Sequence, residues 1–266
     1  MIKFDGSLLP FFHMKKIIIL SVFVLMFSLH EARSQTLVAH YTVSQNIIGT
    51  GPLEGKILAT IESTGYLYRD GGRYLYYEKP GYLEKYPDGN ISVQIDATNS
   101  YSCGLCTDTL QYINYINTDS LFRVNRPHFN GGQGLKINYK QQYEADYFTW
   151  DVLPETRVIN GLKCQKATMS IRNNLQWIVW FTPKVKVQCG INGIIGVPGL
   201  VVEAECPPLQ TKYTLVDFSE SVPLNASVFD LAELKEPYDQ MAPLLKSNIM
   251  PAGKSKIQKE ADLTNQ

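Results

Sequence analysis

The chain has 266 residues, with 25 basic and 25 acidic side chains, 44% hydrophobic residues, 11% aromatic residues and five cysteines. Its lysines and arginines are scattered and balanced by acids, which argues against a polyanion-binding or nucleic-acid role. Residues 1–34 hold four of the basic and two of the acidic residues, so the remainder carries a net charge of −2.

Met14-Lys15-Lys16 is a short basic region, followed at 17–29 by an apolar run thirteen residues long without a charge. Ala32 and Ser34 then put small residues at the −3 and −1 positions of a cut before Gln35. That layout predicts a secretory signal peptide over 1–34, with Met14 as the true start. The apolar run is too short to span a bilayer, and no cysteine follows the cut to take a lipid. The expected product is a periplasmic or secreted chain with no transmembrane anchor. About 230 residues remain, undivided by any linker-like tract, so one domain is predicted over 35–249. Residues 250–266 have little to bury and read as a disordered tail.

Residues 37–45 alternate apolar and polar, as a half-buried strand does. Residues 57–69 and 73–78 flank Asp70-Gly71-Gly72, a hairpin signal because glycine supplies positive φ. Tyr66, Tyr68, Tyr74, Tyr76 and Tyr77 crowd this hairpin, and alternate tyrosines on one face either stack a ligand or pack across strands. Further strands are predicted at 91–97, 109–116, 120–124 and 135–139, with Tyr86-Pro87-Asp88-Gly89-Asn90 a turn before the first of them. The run 175–181, containing Trp177 and Trp180, is a short buried strand stopped by Thr182-Pro183. Pro198-Gly199, preceded by Gly196, suits a type II turn before a strand at 200–202. A strand at 212–217 and a short helix at 227–234 capped by Ser227 complete the chain. The expected fold is mainly β: one large curved antiparallel sheet, with a β-sandwich as the alternative.

The five cysteines are Cys103, Cys106, Cys164, Cys189 and Cys206. In an exported chain the usual fate of cysteine is a disulfide. Cys189 and Cys206 bracket the Pro-Gly turn symmetrically and are candidates to bridge, as are Cys103 and Cys106, with Cys164 left free. The spacing Cys103-Gly-Leu-Cys106 also fits a redox pair or half a zinc knuckle, but its flanks read as loop and strand. No GxSxG or HExxH is present, nor a cofactor motif or phosphate cradle. Glu203 and Glu205 share one strand face, and Asp88-Gly-Asn90 lacks the rest of a calcium loop.

Three segments carry a family resemblance: residues 155–167 (ETRVINGLKCQKA), Trp180-Phe181-Thr182-Pro183, and Gly196-Val197-Pro198-Gly199-Leu200-Val201. Together they resemble the GLPGLI family, densely over 148–218. Val197 and Val201 replace Leu and Ile, and Gly190-Ile191 stands where the family has Gly-Pro. The resemblance implies an envelope protein and supplies no catalytic residues; the 155–167 segment is also similar to the half-barrel LolA/LolB-like carriers. The leading functional expectation is a non-enzymatic binding module without a cofactor, holding an apolar small molecule or an envelope partner such as an outer-membrane receptor. The alternatives are a thiol- or metal-dependent enzyme using Cys103 and Cys106, and a structural accessory of such a receptor. Candidate binding residues are Tyr66, Tyr68, Tyr74, Tyr76, Trp177 and Trp180.

Overall fold

A computed structural model describes residues 36–126, 137–171, 174–235 and 238–245. The expected signal peptide, the glycine-rich stretch 129–134 and the expected tail therefore lie wholly outside the described residues. The described chain is built from strands and short 3-10 turns: β1 (Thr36–Ile48), β2 (Ile57–Asp70), β3 (Arg73–Pro80), β4 (Asn90–Gln94), β5 (Ser100–Gly104), β6 (Gln111–Asn117) and β7 (Phe122–Asn125). Then follow β8 (Asn138–Gln142), β9 (Asp151–Ile159), β10 (Leu162–Ile171), β11 (Asn174–Thr182), β12 (Leu200–Cys206), β13 (Thr211–Glu220) and β14 (Tyr238–Gln240).

Twelve strands form one sheet in the order β14-β8-β7-β6-β3-β2-β1-β13-β12-β11-β10-β9, and β4 pairs only with β5. The sheet is mainly antiparallel and does not close; the short edge pair β14–β8 runs parallel. Register shifts interrupt six of the pairings. Each leaves an extra residue on one strand and sharpens the local twist, which is how an open sheet this wide is bent.

Strand alternation decides what faces inward. Leu37, Ala39, Tyr41 and Val43 of β1 are buried, as are Leu67 of β2, Tyr74 and Tyr76 of β3, and Tyr213 and Leu215 of β13. These side chains meet the loop 183–199, between β11 and β12, which lies across the concave face. Its Val185, Val187, Cys189, Ile191, Ile194, Ile195 and Val197 are all buried in the same core. Burying one valine or isoleucine is worth about 1.5–3 kcal/mol, so this loop is a principal part of the core.

The opposite face is covered at one end by residues 225–235. Phe229 meets Tyr115 edge-on at 6.5 Å and lies under the Arg73 guanidinium at 4.8 Å. Arg126 and Asn138 both donate to the Glu233 carbonyl at 2.7 Å. Instead of one helix capped by Ser227, this segment makes two 3-10 turns, and Asn225 is the cap, accepting from the Ser227 amide at 3.0 Å.

The Pro-Gly corner also differs from expectation. A type II turn would bond the Leu200 amide to the Val197 carbonyl. That amide donates instead to the Val185 carbonyl at 3.1 Å, and the Gly199 amide closes a three-residue turn onto Val197 at 2.9 Å. This is γ-turn geometry centred on Pro198. Glycine is required at 199 by crowding: an added Cβ would lie 2.3 Å from the Thr182 carbonyl oxygen.

The expected consequence is measurable by chemical denaturation. Gly199→Ala loses about 2–3 kcal/mol by forcing β11 and β12 apart. Gly55→Ala, at a positive φ with open space around its Cβ, loses about 1 kcal/mol. Equal losses would mean that the Gly199 contact yields freely.

Candidate functional site

The hairpin register separates the six aromatic candidates. Pairing Tyr66 with Tyr77 and Tyr68 with Leu75 puts Tyr66 and Tyr68 on the convex face. There Tyr77 stacks on Tyr66 at 5.2 Å and on Tyr68 at 6.1 Å, with His40 edge-on to Tyr66 at 5.3 Å. The ring faces are spent on one another, which is cross-strand packing. Tyr74 and Tyr76 point inward and are buried. Tyr74 Oη accepts from the Gln188 amide at 3.3 Å, so it serves the loop 183–199. Trp177 is also internal, 5.6 Å from the Tyr213 ring. Trp180 faces outward beneath Arg157 at 4.0 Å and Lys166 at 5.9 Å. The sequence candidates therefore form no common site.

The cysteine pairings differ from expectation as well: no disulfide joins any of the five cysteines. Cys189 bridges Ile195 within its own loop, beside the Leu200 end of β12. Cys206 is six residues further along that strand, about 20 Å away at the rise of an extended chain. Cys103 and Cys106 fail for a similar reason. The β4–β5 ladder pairs Asn90 with Gly104 and runs on as the Leu105 amide donates to the Gly89 carbonyl at 2.6 Å. Three extended residues separate Cα atoms by about 10 Å, beyond the ~7 Å limit for a disulfide. Cys106, Cys164, Cys189 and Cys206 are buried, and burial raises the pKa of the last three thiols, which makes thiolate scarce. Among the described residues no three His, Cys, Asp or Glu side chains are placed to hold a metal ion.

The concave side holds one buried acid that sequence reading missed. Glu78 on β3 is 2% exposed, and Tyr76 Oη donates to its Oε1 at 2.8 Å. Gly65, paired with Glu78 across the hairpin, makes room: a Cβ there would lie 2.6 Å from the Tyr76 hydroxyl. Tyr82, Gln111, Tyr112 and Tyr213 surround the remaining space of about 10 Å³, too small for a ligand. Desolvation pushes the Glu78 carboxyl up to about 8. No repeat or motif marks Glu78; only the register reveals that it points inward.

An opening of ligand size lies elsewhere. Asn160 and Gly161, at φ of 50° and 77°, form the two-residue turn joining β9 to β10, the geometry that Asn-Gly favours. Across from it, Pro183 ends β11 and sends the chain toward the concave face. Between them is a cleft of about 570 Å³ lined by Thr156, Gly161, Leu162, Lys163, Cys164, Gln165, Thr182, Pro183 and Lys184. Its volume falls within the ~300–1,000 Å³ typical of small-molecule sites.

No family model matches the chain. No curated protein matches it either. Among solved structures it is similar to PNGF-II in two crystal forms, at 16% and 15% identity and TM-scores of 0.44 and 0.42. Those matches cover 78% and 85% of this chain but only 31% and 32% of PNGF-II, so the chain spans about a third of that protein's length. A DUF1329 family protein from Desulfovibrio piger matches at 13% identity and a TM-score of 0.28, covering 77% of this chain and 93% of its own. An uncharacterised conserved protein from Thermus thermophilus matches at 8% and 0.37, covering 83% and 99%.

Glu78 gives stability a definite pH dependence. Its carboxyl stays protonated in the folded chain up to about pH 8, whereas the unfolded chain releases that proton near 4.3. Its contribution is therefore fully present below about pH 4 and is lost as pH rises toward 8, by on the order of 5 kcal/mol. Glu78→Gln keeps an acceptor for Tyr76 and flattens this slope, with a higher melting temperature than the unmodified chain at pH 8. Calorimetry across that range checks it, and an unchanged slope in the variant would assign the effect to another group.

Proposed function

We propose that this chain is an exported, non-enzymatic binding module of the bacterial envelope, of the GLPGLI type, and that it holds its ligand in the cleft beside the β9–β10 turn. One observation carries the reading. The concave face of the half-barrel is filled by the chain's own loop 183–199, while the cleft at its margin has ligand size and apolar walls in Leu162 and Pro183. The family resemblance fits the same part of the molecule, since residues 155–167 supply one wall, Thr182 and Pro183 the other, and Gly196 to Val201 the corner behind them. Export rests on the basic, apolar and small-residue sequence of 14–34. Among the described residues no helix is long and apolar enough to cross a membrane.

A thiol- or metal-dependent activity at Cys103 and Cys106 is disfavoured, because Cys106 is buried and extended chain holds the two apart. The structural-accessory reading has one observation in its favour. Edge strand β9 leaves Val158 71% and Val152 46% exposed, apolar surface of the kind a partner covers.

Two measurements test the proposal. In fractionated cells of a Gram-negative host, the chain is expected in the periplasm or medium, shortened to begin at Gln35; retention in the cytoplasm at full length would remove the export half. In vitro, a fluorescent apolar probe is expected to bind the unmodified chain. Thr156→Trp, which fills the cleft from an exposed position, should weaken binding at least tenfold with stability changed by less than about 0.5 kcal/mol. Tyr66→Ala should leave binding unchanged. Undiminished binding by Thr156→Trp would place the ligand elsewhere.

A further inference from the structure

The cleft's charges are one-sided. Of its lining residues only Lys163 and Lys184 are charged, and both are cationic and exposed. Neither makes an ion pair among the described residues. Their neighbours on the same elements do: Arg157 of β9 pairs with Glu203, and Lys166 of β10 pairs with Glu155. Alternation accounts for the contrast, since Lys166 is paired across strands with Trp180 on the outward face, where the carboxylates are. Lys163 and Lys184 come instead from the hairpin and the Thr182-Pro183-Lys184 segment, which converge on the cleft without an acid between them.

A second, independent feature is Thr182. It is 1% exposed and lines the cleft. Its hydroxyl can both donate and accept a hydrogen bond, which places a polar group on the cleft wall. Gln165, beside it, is held in place by donating to the Leu153 carbonyl at 2.9 Å. Two lysines and a threonine hydroxyl thus meet apolar walls formed by Leu162, Pro183 and the buried side of Cys164.

We propose that the ligand of this cleft is an amphiphile with an anionic head, a carboxylate or phosphate monoester on an alkyl chain. The head is bound by Lys163, Lys184 and the Thr182 hydroxyl, and the first part of the chain lies against Leu162 and Pro183. This rests on the binding role proposed above and names what that role selects. A small inorganic anion would leave the apolar walls and most of the volume unused. A neutral chain would leave both lysines at the cleft without a counter-charge, whereas an anionic head supplies one and gains charge-assisted hydrogen bonds.

The test compares ligands that share one chain and differ in the head. Oleate, oleyl phosphate and oleyl alcohol are titrated against the full chain by displacement of a fluorescent apolar probe at low and high salt. At least one of the two anions is expected to bind about tenfold or more tightly than the alcohol, with the advantage shrinking at high salt. Which anion binds more tightly identifies the head, and either supports the inference. Lys163→Glu/Lys184→Glu is expected to bring the anions to the level of the alcohol while leaving the alcohol's affinity in place. Lys163→Met/Lys184→Met repeats the test without new charge, and Thr182→Val should cost the anions more than the alcohol. Equal binding of all three ligands would overturn the anionic head and leave the cleft as a site. Binding of none would overturn the cleft and this inference together.

Discussion

The seating of the loop 183–199 against the concave face is the constraint on which the rest of the structure depends. An irregular segment can be buried only if its backbone polar groups find partners, and here they find them in two ways. Within the loop, the Gly196 amide donates to the Gln188 carbonyl at 2.7 Å and the Gly190 amide to the Ile194 carbonyl at 2.9 Å. From the surrounding chain, Arg69 donates to the Lys186 carbonyl at 2.6 Å, and Trp150 to the Ile195 carbonyl at 2.8 Å. Asn192 adds a bond to Tyr213 Oη at 3.1 Å. Inward-facing polar side chains such as Arg69 and Tyr213 thereby answer polar groups of the loop.

That arrangement moves the binding question from the middle of the half-barrel to its margin. A half-barrel with an empty concavity would offer its inward aromatics to a ligand, but Tyr74, Tyr76 and Trp177 are all in contact with protein. The space left open is where the loop departs from the sheet. Pro183 ends β11 there, and the chain must cross from the hydrogen-bonded ladder to the concave face. Gly199 makes the return possible by letting the two ends of the loop pass at backbone contact distance. The same departure leaves Thr182 buried on the cleft wall. Filling the core and opening the cleft are thus two results of one chain path.

Much of this fold is legible in the sequence where a local rule suffices. Asp70-Gly71-Gly72 joins two strands as glycine chemistry requires, and the alternation of residues 37–45 lies within β1. Proline after Thr182 ends β11. What local rules do not contain is register. The tyrosines of the β2–β3 hairpin are dense in sequence, yet pairing Tyr66 with Tyr77 sends Tyr66, Tyr68 and Tyr77 outward and Tyr74 and Tyr76 inward. The cysteine readings fail for a related reason: symmetry about Pro198-Gly199 implies a hairpin, whereas the Leu200 amide is engaged by Val185 and the two arms never pair. Asn160-Gly161 is a different case, a strong turn signal that goes unread inside the longer segment of family resemblance, though it builds one wall of the cleft. Glu78 carries no local signal, since its burial follows from the Tyr76-side alternation and the gap left by Gly65.

An open sheet of twelve strands has two edges to protect, and they are protected differently. At one end the edge is β14, three residues long and paired in parallel with β8, too short to template another chain. At the other, β9 carries Asp151, Pro154, Glu155 and Arg157, and its register against β10 breaks so that Thr156 pairs with Gln165 but Val152 with Ala167. Charge, proline and a bulge are the devices that keep an edge from propagating. They also bend β9 away from a flat ladder, and the exposed valines Val152 and Val158 are separated by that bend and its charges. The bulge leaves Thr156 and Gln165 together at the cleft, while Glu155 and Arg157 point to the other face to pair with Lys166 and Glu203. The edge defence therefore sorts the charges as well: acids are drawn to the outward face, and the cleft keeps only its lysines.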